Sequence, residues 1–182
     1  MLKKFKALTQ RWQPKQIPTY ERQVRLIAGQ PYVLRQLAND DIKTLILLQK
    51  EVYAGNMPWT RSAFLSEFSS PMRHLYLCAE DKGKVVAFCG CRIHGADGHI
   101  TNVAVLPAFQ GRGLGSLLLE EVEDFARQNH CETLSLEVRI SNRDAQRLYR
   151  KLGFVSRAIK KGYYDETNED ALDMVKFLED GN

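Results

Sequence analysis

The stretch Gln110-Gly111-Arg112-Gly113-Leu114-Gly115-Ser116 decides how this chain is read. It stands between a strand-like run, residues 99–105, and a helical pattern carried by Leu114, Leu117, Leu118, Val122, Phe125 and Ala126. Glycines let backbone N–H groups approach an oxyanion with no Cβ in the way. The free N–H groups of a helix's first turn, together with its dipole, favour negative charge there. Arg112 adds a full positive charge, so a phosphate or pyrophosphate is the natural guest. Two familiar frames do not fit. Position 116 is serine where the dinucleotide fingerprint G-x-G-x-x-G needs its last glycine, and no lysine follows Gly115 as a P-loop requires.

Outward from this cradle, the hydrophobic pattern changes period element by element. Upstream, residues 32–37 read as a short strand. Asn39-Asp40-Asp41 supplies a cap and first-turn acids for a helix carrying Ile42, Leu45, Ile46, Leu48 and Val52. Thr60 can cap a second short helix that reaches Phe68. Strands over 74–79 and 84–93 are joined by Asp81-Lys82-Gly83, a hairpin signal, and the strand over 99–105 is ended by Pro107. Downstream, residues 133–139 alternate as a strand. Ala145, Leu148, Tyr149 and Leu152 mark a helix with Ser141 as its cap and Gly153 at its stop. Residues 154–159 and 170–177 form the last two strands. The order β-α-α-β-β-β-α-β-α-β-β predicts an α/β class domain of α+β type, a mixed sheet flanked by helices.

A chain of 182 residues with 44% hydrophobic and 26% charged side chains is one domain's worth of sequence and is not disordered as a whole. No stretch approaches the ~20 apolar residues needed to cross a bilayer. The net charge of +4 is uneven. Residues 1–30 hold seven basic side chains and one acid, leaving nineteen basic and twenty-one acidic residues beyond them, a net of −2. Residues 1–30 therefore read as a basic N-terminal extension ahead of a domain over 31–182. No apolar core of secretory-signal type follows its lysines. Leu2, Phe5, Leu8 and Trp12 recur at roughly helical spacing before Pro14 and Pro18. A loosely docked tail, an arm for ribosomal RNA, a membrane-surface segment and a transit peptide all fit this pattern. The four cysteines (Cys78, Cys89, Cys91 and Cys131) lie in apparent core segments, and C-x-C without a second pair is weak for zinc. They read as reduced, buried thiols of a cytoplasmic protein, with no metal. His74, His94, His99 and His130 show no ligand spacing, and no chemistry is assigned to them.

The frame Q-x-x-G-x-G (Gln110, Gly113, Gly115) after Asn102-Val103-Ala104-Val105 resembles the acetyl-coenzyme A signature of the GCN5-related N-acetyltransferases, the GNAT family. The likeness extends to Leu136-Glu137-Val138-Arg139, Asn142, Leu148-Tyr149 and Leu152-Gly153-Phe154, and covers about residues 31–178. These residues, with Pro58-Trp59 and Tyr163-Tyr164, are similar to the branch that acetylates protein N-termini. Within it, the bacterial group acting on the N-terminal alanine of a ribosomal protein, small-subunit S18, is the most similar. The resemblance implies a GNAT-like acyl-CoA N-acyltransferase fold and acetyl-CoA as cosubstrate. It implies coenzyme contacts at Val103, Ala104, Val105, Gln110, Gly111, Arg112, Gly113, Leu114, Gly115, Ser116 and Asn142. It further implies Glu137 as general base, Tyr149 as general acid, and Pro58, Trp59, Tyr163 and Tyr164 around the acceptor.

Elementary chemistry is compatible with those roles. An α-amino group has a pKa of about 7.7–8.0, so roughly a tenth is neutral at pH 7, whereas a lysine near 10.4 is almost wholly charged. A modest base such as Glu137, acting directly or through a water, therefore suffices for an N-terminus. A competing reading pairs Glu137 with Arg139 on the same strand face as a plain salt bridge. Tyr149 sits on a helical apolar stripe and is equally readable as a core aromatic. Asp165, Glu166, Glu169 and Asp170 make the last hairpin acidic, which would attract a basic peptide. Two other functions stay open: acetylation of a small-molecule amine, and a non-catalytic acyl-CoA binding module.

Overall fold

The computed structural model describes residues 20–55 and 57–178. Its centre is an eight-stranded sheet: β1 Gln23–Ile27, β2 Gln30–Gln36, β3 His74–Asp81, β4 Lys84–His94, β5 Asp97–Val105, β6 Thr133–Arg139, β7 Val155–Tyr164 and β8 Glu169–Phe177. Four helices flank it: α1 Ile42–Val52, α2 Arg61–Phe68, α3 Leu114–Gln128 and α4 Arg143–Lys151. The sheet order is β1-β2-β3-β4-β5-β6-β8-β7.

The central strands β3 and β4 are apolar almost without interruption, and their runs Leu75–Ala79 and Val85–Cys89 are buried. Unbroken burial of this kind marks strands covered on both faces. On one face α3 lays down its stripe of Leu114, Leu118, Leu119, Val122 and Ala126. The aromatic cluster of Trp59, Phe64, Phe68 and Tyr76 fills the space below α2, with Trp59 and Phe64 centroids 5.2 Å apart and Phe68 and Tyr76 5.1 Å apart. Gly90 is required by that cluster, since a Cβ there would lie 2.1 Å from Cε1 of Tyr76.

All strand pairs are antiparallel except β5 with β6. That parallel ladder runs only from Asp97↔Thr133 to His99↔Ser135. Beyond His99 and Ser135 the two strands diverge, and this splay opens a cleft through the middle of the sheet.

The expected element order holds, with one strand added. The sequence reading carries the basic extension to residue 30, yet Gln23–Ile27 forms β1 and pairs in antiparallel register with β2. The sequence carries little strand signal there, because Val24 and Leu26 are exposed on an edge strand and the segment is short and flanked by polar residues. A buried carboxylate fixes this segment: Glu121 of α3 accepts hydrogen bonds from Tyr20 Oη at 2.8 Å and Arg25 Nη2 at 2.6 Å. The pattern at residues 1–19 lies outside the described residues. The α4 cap also differs, because Asn142 rather than Ser141 accepts from Ala145 N, at 3.1 Å.

Candidate active site

The glycine-rich segment forms the turn from β5 into α3. Gly111 and Gly113 adopt φ of 73° and 91°, the left-handed region that other residues enter only at a cost. Gly115 lets α4 approach, as a Cβ there would meet Leu148 Cδ2 at 3.4 Å. No side chain caps α3, in contrast to α2 and α4, which are capped by Thr60 and Asn142. Its first-turn amides are thus left for an anion, which fits the phosphates of a coenzyme A. The flanking side chains do other work. Gln110 Nε2 donates to Val105 O at 3.0 Å and closes the loop, while Arg112 folds back to donate to Ala108 O at 2.8 Å and lies 4.9 Å from the Phe109 ring centroid. Leu114 is buried in the core, so only its backbone faces the turn.

A cavity of about 450 Å³ opens where β5 and β6 diverge. Its lining brings together Glu137, Tyr149, Pro58, Trp59, Tyr163, Tyr164, Val103 and Asn142, residues drawn from both halves of the chain. Two buried glutamines, unmarked in the sequence, hold the loops that frame it. Gln49 bonds both ways to the backbone of Trp59, its Nε2 donating to the carbonyl and its Oε1 accepting from the amide, each at 3.0 Å. Gln146 Nε2 donates to the carbonyls of Arg139 and Ile140 at 3.1 and 2.9 Å.

Glu137 does not pair with Arg139. Its Oε2 lies 3.2 Å from His99 Nε2, and its Oε1 accepts from Lys160 Nζ. Burial pushes this carboxyl up, but the hydrogen bonds and charge of His99 and Lys160 outweigh it and hold the group at about 2. Arg139 instead pairs with Glu169 at 3.0 Å and stacks 3.9 Å from the Tyr164 ring centroid. The acidity expected of the last hairpin is therefore halved. Glu169 is taken by Arg139 and Asp170 by Lys161, leaving Asp165 and Glu166 at the cavity. Tyr149 is buried and packs on Phe154, so it belongs to the core as well as to the cavity wall. Burial raises its phenol, keeping it protonated as a proton donor must be. Asn102 adds a further polar group, its Oδ1 and Nδ2 both buried in the cavity wall with no hydrogen-bond partner. Orphaned buried amides are costly, and a polar ligand would satisfy this one.

The model of the Acetyltransferase (GNAT) family matches residues 39–154, spanning α1, the splayed strands, the cradle and α4. The chain belongs to that family. It is an acetyl-CoA-dependent N-acetyltransferase. A putative ribosomal protein bS18-alanine N-acetyltransferase of Bacillus subtilis is 35% identical over 78% of this chain and 92% of its own length. The N-alpha-acetyltransferase RimI of Mycobacterium tuberculosis is 34% identical over 80% of this chain and 92% of its own. Among solved structures, the ribosomal-protein-S18-alanine N-acetyltransferase of Escherichia coli superposes with a TM-score of 0.73 at 30% identity, covering 83% of this chain and 96% of that one.

The four cysteines are free and buried, and burial raises their thiols, Cys78 to about 12. None is suited to act as a nucleophile. Among the described residues no helix is long and apolar enough to cross a membrane.

Proposed function

We propose that this acetyltransferase acts on the N-terminal α-amine of a protein, with the alanine of a ribosomal protein as its acceptor. The observation that carries the reading is the convergence of Glu137, Pro58-Trp59 and Tyr163-Tyr164 on one cavity at the splay. The similarity to bS18-alanine N-acetyltransferases over most of both chains supports the acceptor.

Acetyl-CoA supplies an activated thioester. Glycines 111, 113 and 115 and the α3 amides hold its phosphates, and Val103–Val105 line the approach of its arm. Glu137, held at about 2, is too weak to deprotonate an α-ammonium outright. The gap of about six pH units corresponds to about 8 kcal/mol, whereas selecting the neutral amine near pH 7 costs only about 1 kcal/mol. The amine therefore enters neutral. Glu137 orients its N–H and takes the proton as the nitrogen becomes acidic on bonding to carbon. Tyr149 Oη supplies a proton to the departing thiolate. A lysine side chain is disfavoured by its far smaller neutral fraction.

Labelled acetyl-CoA, offered with an S18 N-terminal peptide, the same peptide N-terminally blocked but carrying lysine, and a polyamine, tests this reading. Labelling of the free Ala peptide alone is expected. Preferential labelling of the polyamine would overturn the acceptor, and labelling of the blocked peptide would overturn the preference for an α-amine.

A further inference from the structure

A line of polar side chains runs from Glu137 away from the cavity. Glu137 Oε2 lies 3.2 Å from His99 Nε2, His99 Nδ1 lies 3.0 Å from Ser135 Oγ, and Ser135 Oγ donates to Asp97 Oδ2 at 2.5 Å. Thr133 Oγ1 donates to the other oxygen, Asp97 Oδ1, at 2.7 Å. Asp97↔Thr133 and His99↔Ser135 are the two ends of the short parallel ladder, so the line sits at the vertex of the splay. Ser135 is buried and the His99 side chain is 22% exposed, so the line is shielded from bulk water.

Bond directions along this line are forced. An ionised carboxylate only accepts, and a serine hydroxyl has a single proton. Ser135 spends that proton on Asp97, so it can only accept from His99, and Nδ1 carries hydrogen. Nε2 is then the nitrogen left to gain or lose a proton, and it is the one facing Glu137. The 3.2 Å contact with Oε2 is short enough for a proton to pass between the two atoms.

We infer that Asp97, acting through Ser135, locks the ring tautomer of His99 so that the His99 Nε2–Glu137 Oε2 pair is the unit that receives the acceptor's proton. This rests on Glu137 taking the proton from the acceptor nitrogen, as argued above. In each turnover, begun with Nε2 unprotonated, the N–H bond of the acceptor breaks, its proton passes to Glu137 Oε2 and on to Nε2 and is released to water in the cavity, while a proton from water restores the Tyr149 phenol. Asp97 and Ser135 touch no substrate and are positioning residues, in the manner of a carboxylate that fixes a catalytic imidazole. The groups around His99 from other elements are Arg92 of β4 paired with Glu67 of α2, Glu137 of β6, Lys160 and Tyr163 of β7, and Asp173 of β8.

Long-range 15N spectra of the ring nitrogens in the full chain test the lock, with H99Q assigning the signals. The neutral ring of His99 is expected to carry its proton on Nδ1 in the natural sequence and in T133A. In D97N the amide can donate to Ser135, which then donates to Nδ1, and the proton is expected on Nε2. An Nε2 proton in the natural sequence would overturn the lock. On activity, S135A and D97N are expected to lower kcat/KM roughly ten- to a hundredfold with an altered acid limb of the pH profile, and S135T to restore both. A loss uniform across pH, or confined to KM, would mark a merely structural role and overturn the inference. The spectra need no acceptor, so a failed peptide panel removes the acceptor reading and leaves the tautomer result standing.

Discussion

The glycine-rich cradle and the cavity at the splay, proposed to take the coenzyme and the acceptor, adjoin each other, yet they are built in opposite ways. The cradle is backbone: one contiguous segment, positive φ at Gly111 and Gly113, and a helix terminus left without a side-chain cap. The cavity is side chain, with its lining drawn from α1, the loop before α2, β4, β5, β6, α4 and β7, and its carboxylate Glu137 held in place by ion pairs. A site of the first kind binds a group common to a whole family. A site of the second kind can change its acceptor by changing a few residues. If the division is real, substitutions in one site should leave the other's constants alone.

Glu137→Gln should give the largest effect. It removes the proton acceptor while preserving shape, so kcat/KM is expected to fall roughly 10²–10⁴-fold. The Kd for coenzyme A, read by calorimetry, should not move. A matched loss in coenzyme affinity would break the division. The same residue makes a stability prediction. Its carboxyl is held at about 2 in the folded chain against an ordinary 4.5, so its contribution is complete above 4.5 and disappears as pH falls from there to 2. Acid unfolding of E137Q should accordingly lose part of the pH dependence in that window.

Gly113→Ala comes next and probes the other side. The left-handed φ of 91° costs a non-glycine residue about 1–2 kcal/mol, and the new Cβ meets only Ile27 Cγ2 at 3.5 Å, an ordinary contact. The expected outcome is a roughly tenfold or greater rise in coenzyme Kd with the acceptor KM unchanged once coenzyme is saturating. An unchanged Kd would show that the cradle does not depend on its backbone conformation.

The same division explains what could be read from sequence. The cradle is local, so glycine spacing after a strand and before a helix was enough to find it. Glu137 and Tyr149 stand out in the sequence only through the family resemblance of the frames around them, since periodicity alone leaves Tyr149 a core aromatic. His99 was not, because its meaning comes from Ser135 and Glu137, which a long stretch of sequence separates from it and which the β5–β6 pairing alone brings close. Gln49 and Gln146 were invisible for a related reason. Each bonds to backbone, which carries no sequence signature, and only their burial reveals them. β1 escaped because an edge strand has one partner and little apolar alternation. The tie of Glu121 to Tyr20 and Arg25 is likewise a tertiary contact.

Replacing both Tyr163 and Tyr164 with alanine sharpens the acceptor side. The rings meet edge to face at 5.1 Å, and Tyr164 carries the Arg139 guanidinium. Peptide KM should rise about tenfold, in keeping with loss of an aromatic pair and a cation–π contact. Coenzyme Kd should stay constant, and an unmoved peptide KM would remove the two tyrosines from the acceptor site.

Arg112→Ala should produce the smallest change and bears most directly on how the cradle works. By sequence Arg112 is the one full charge in the segment and would be expected to dominate phosphate binding. In the fold its guanidinium is spent on Ala108 O and the face of Phe109 and remains exposed to solvent, where ionic attraction is strongly screened. The backbone amides of the uncapped turn have no such competing partner among side chains. Coenzyme Kd should therefore rise only about two- to threefold in R112A, well below the effect of Gly113→Ala, and the difference should shrink in added salt. An R112A defect larger than that of Gly113→Ala would reverse the assignment and make the cradle a side-chain site after all.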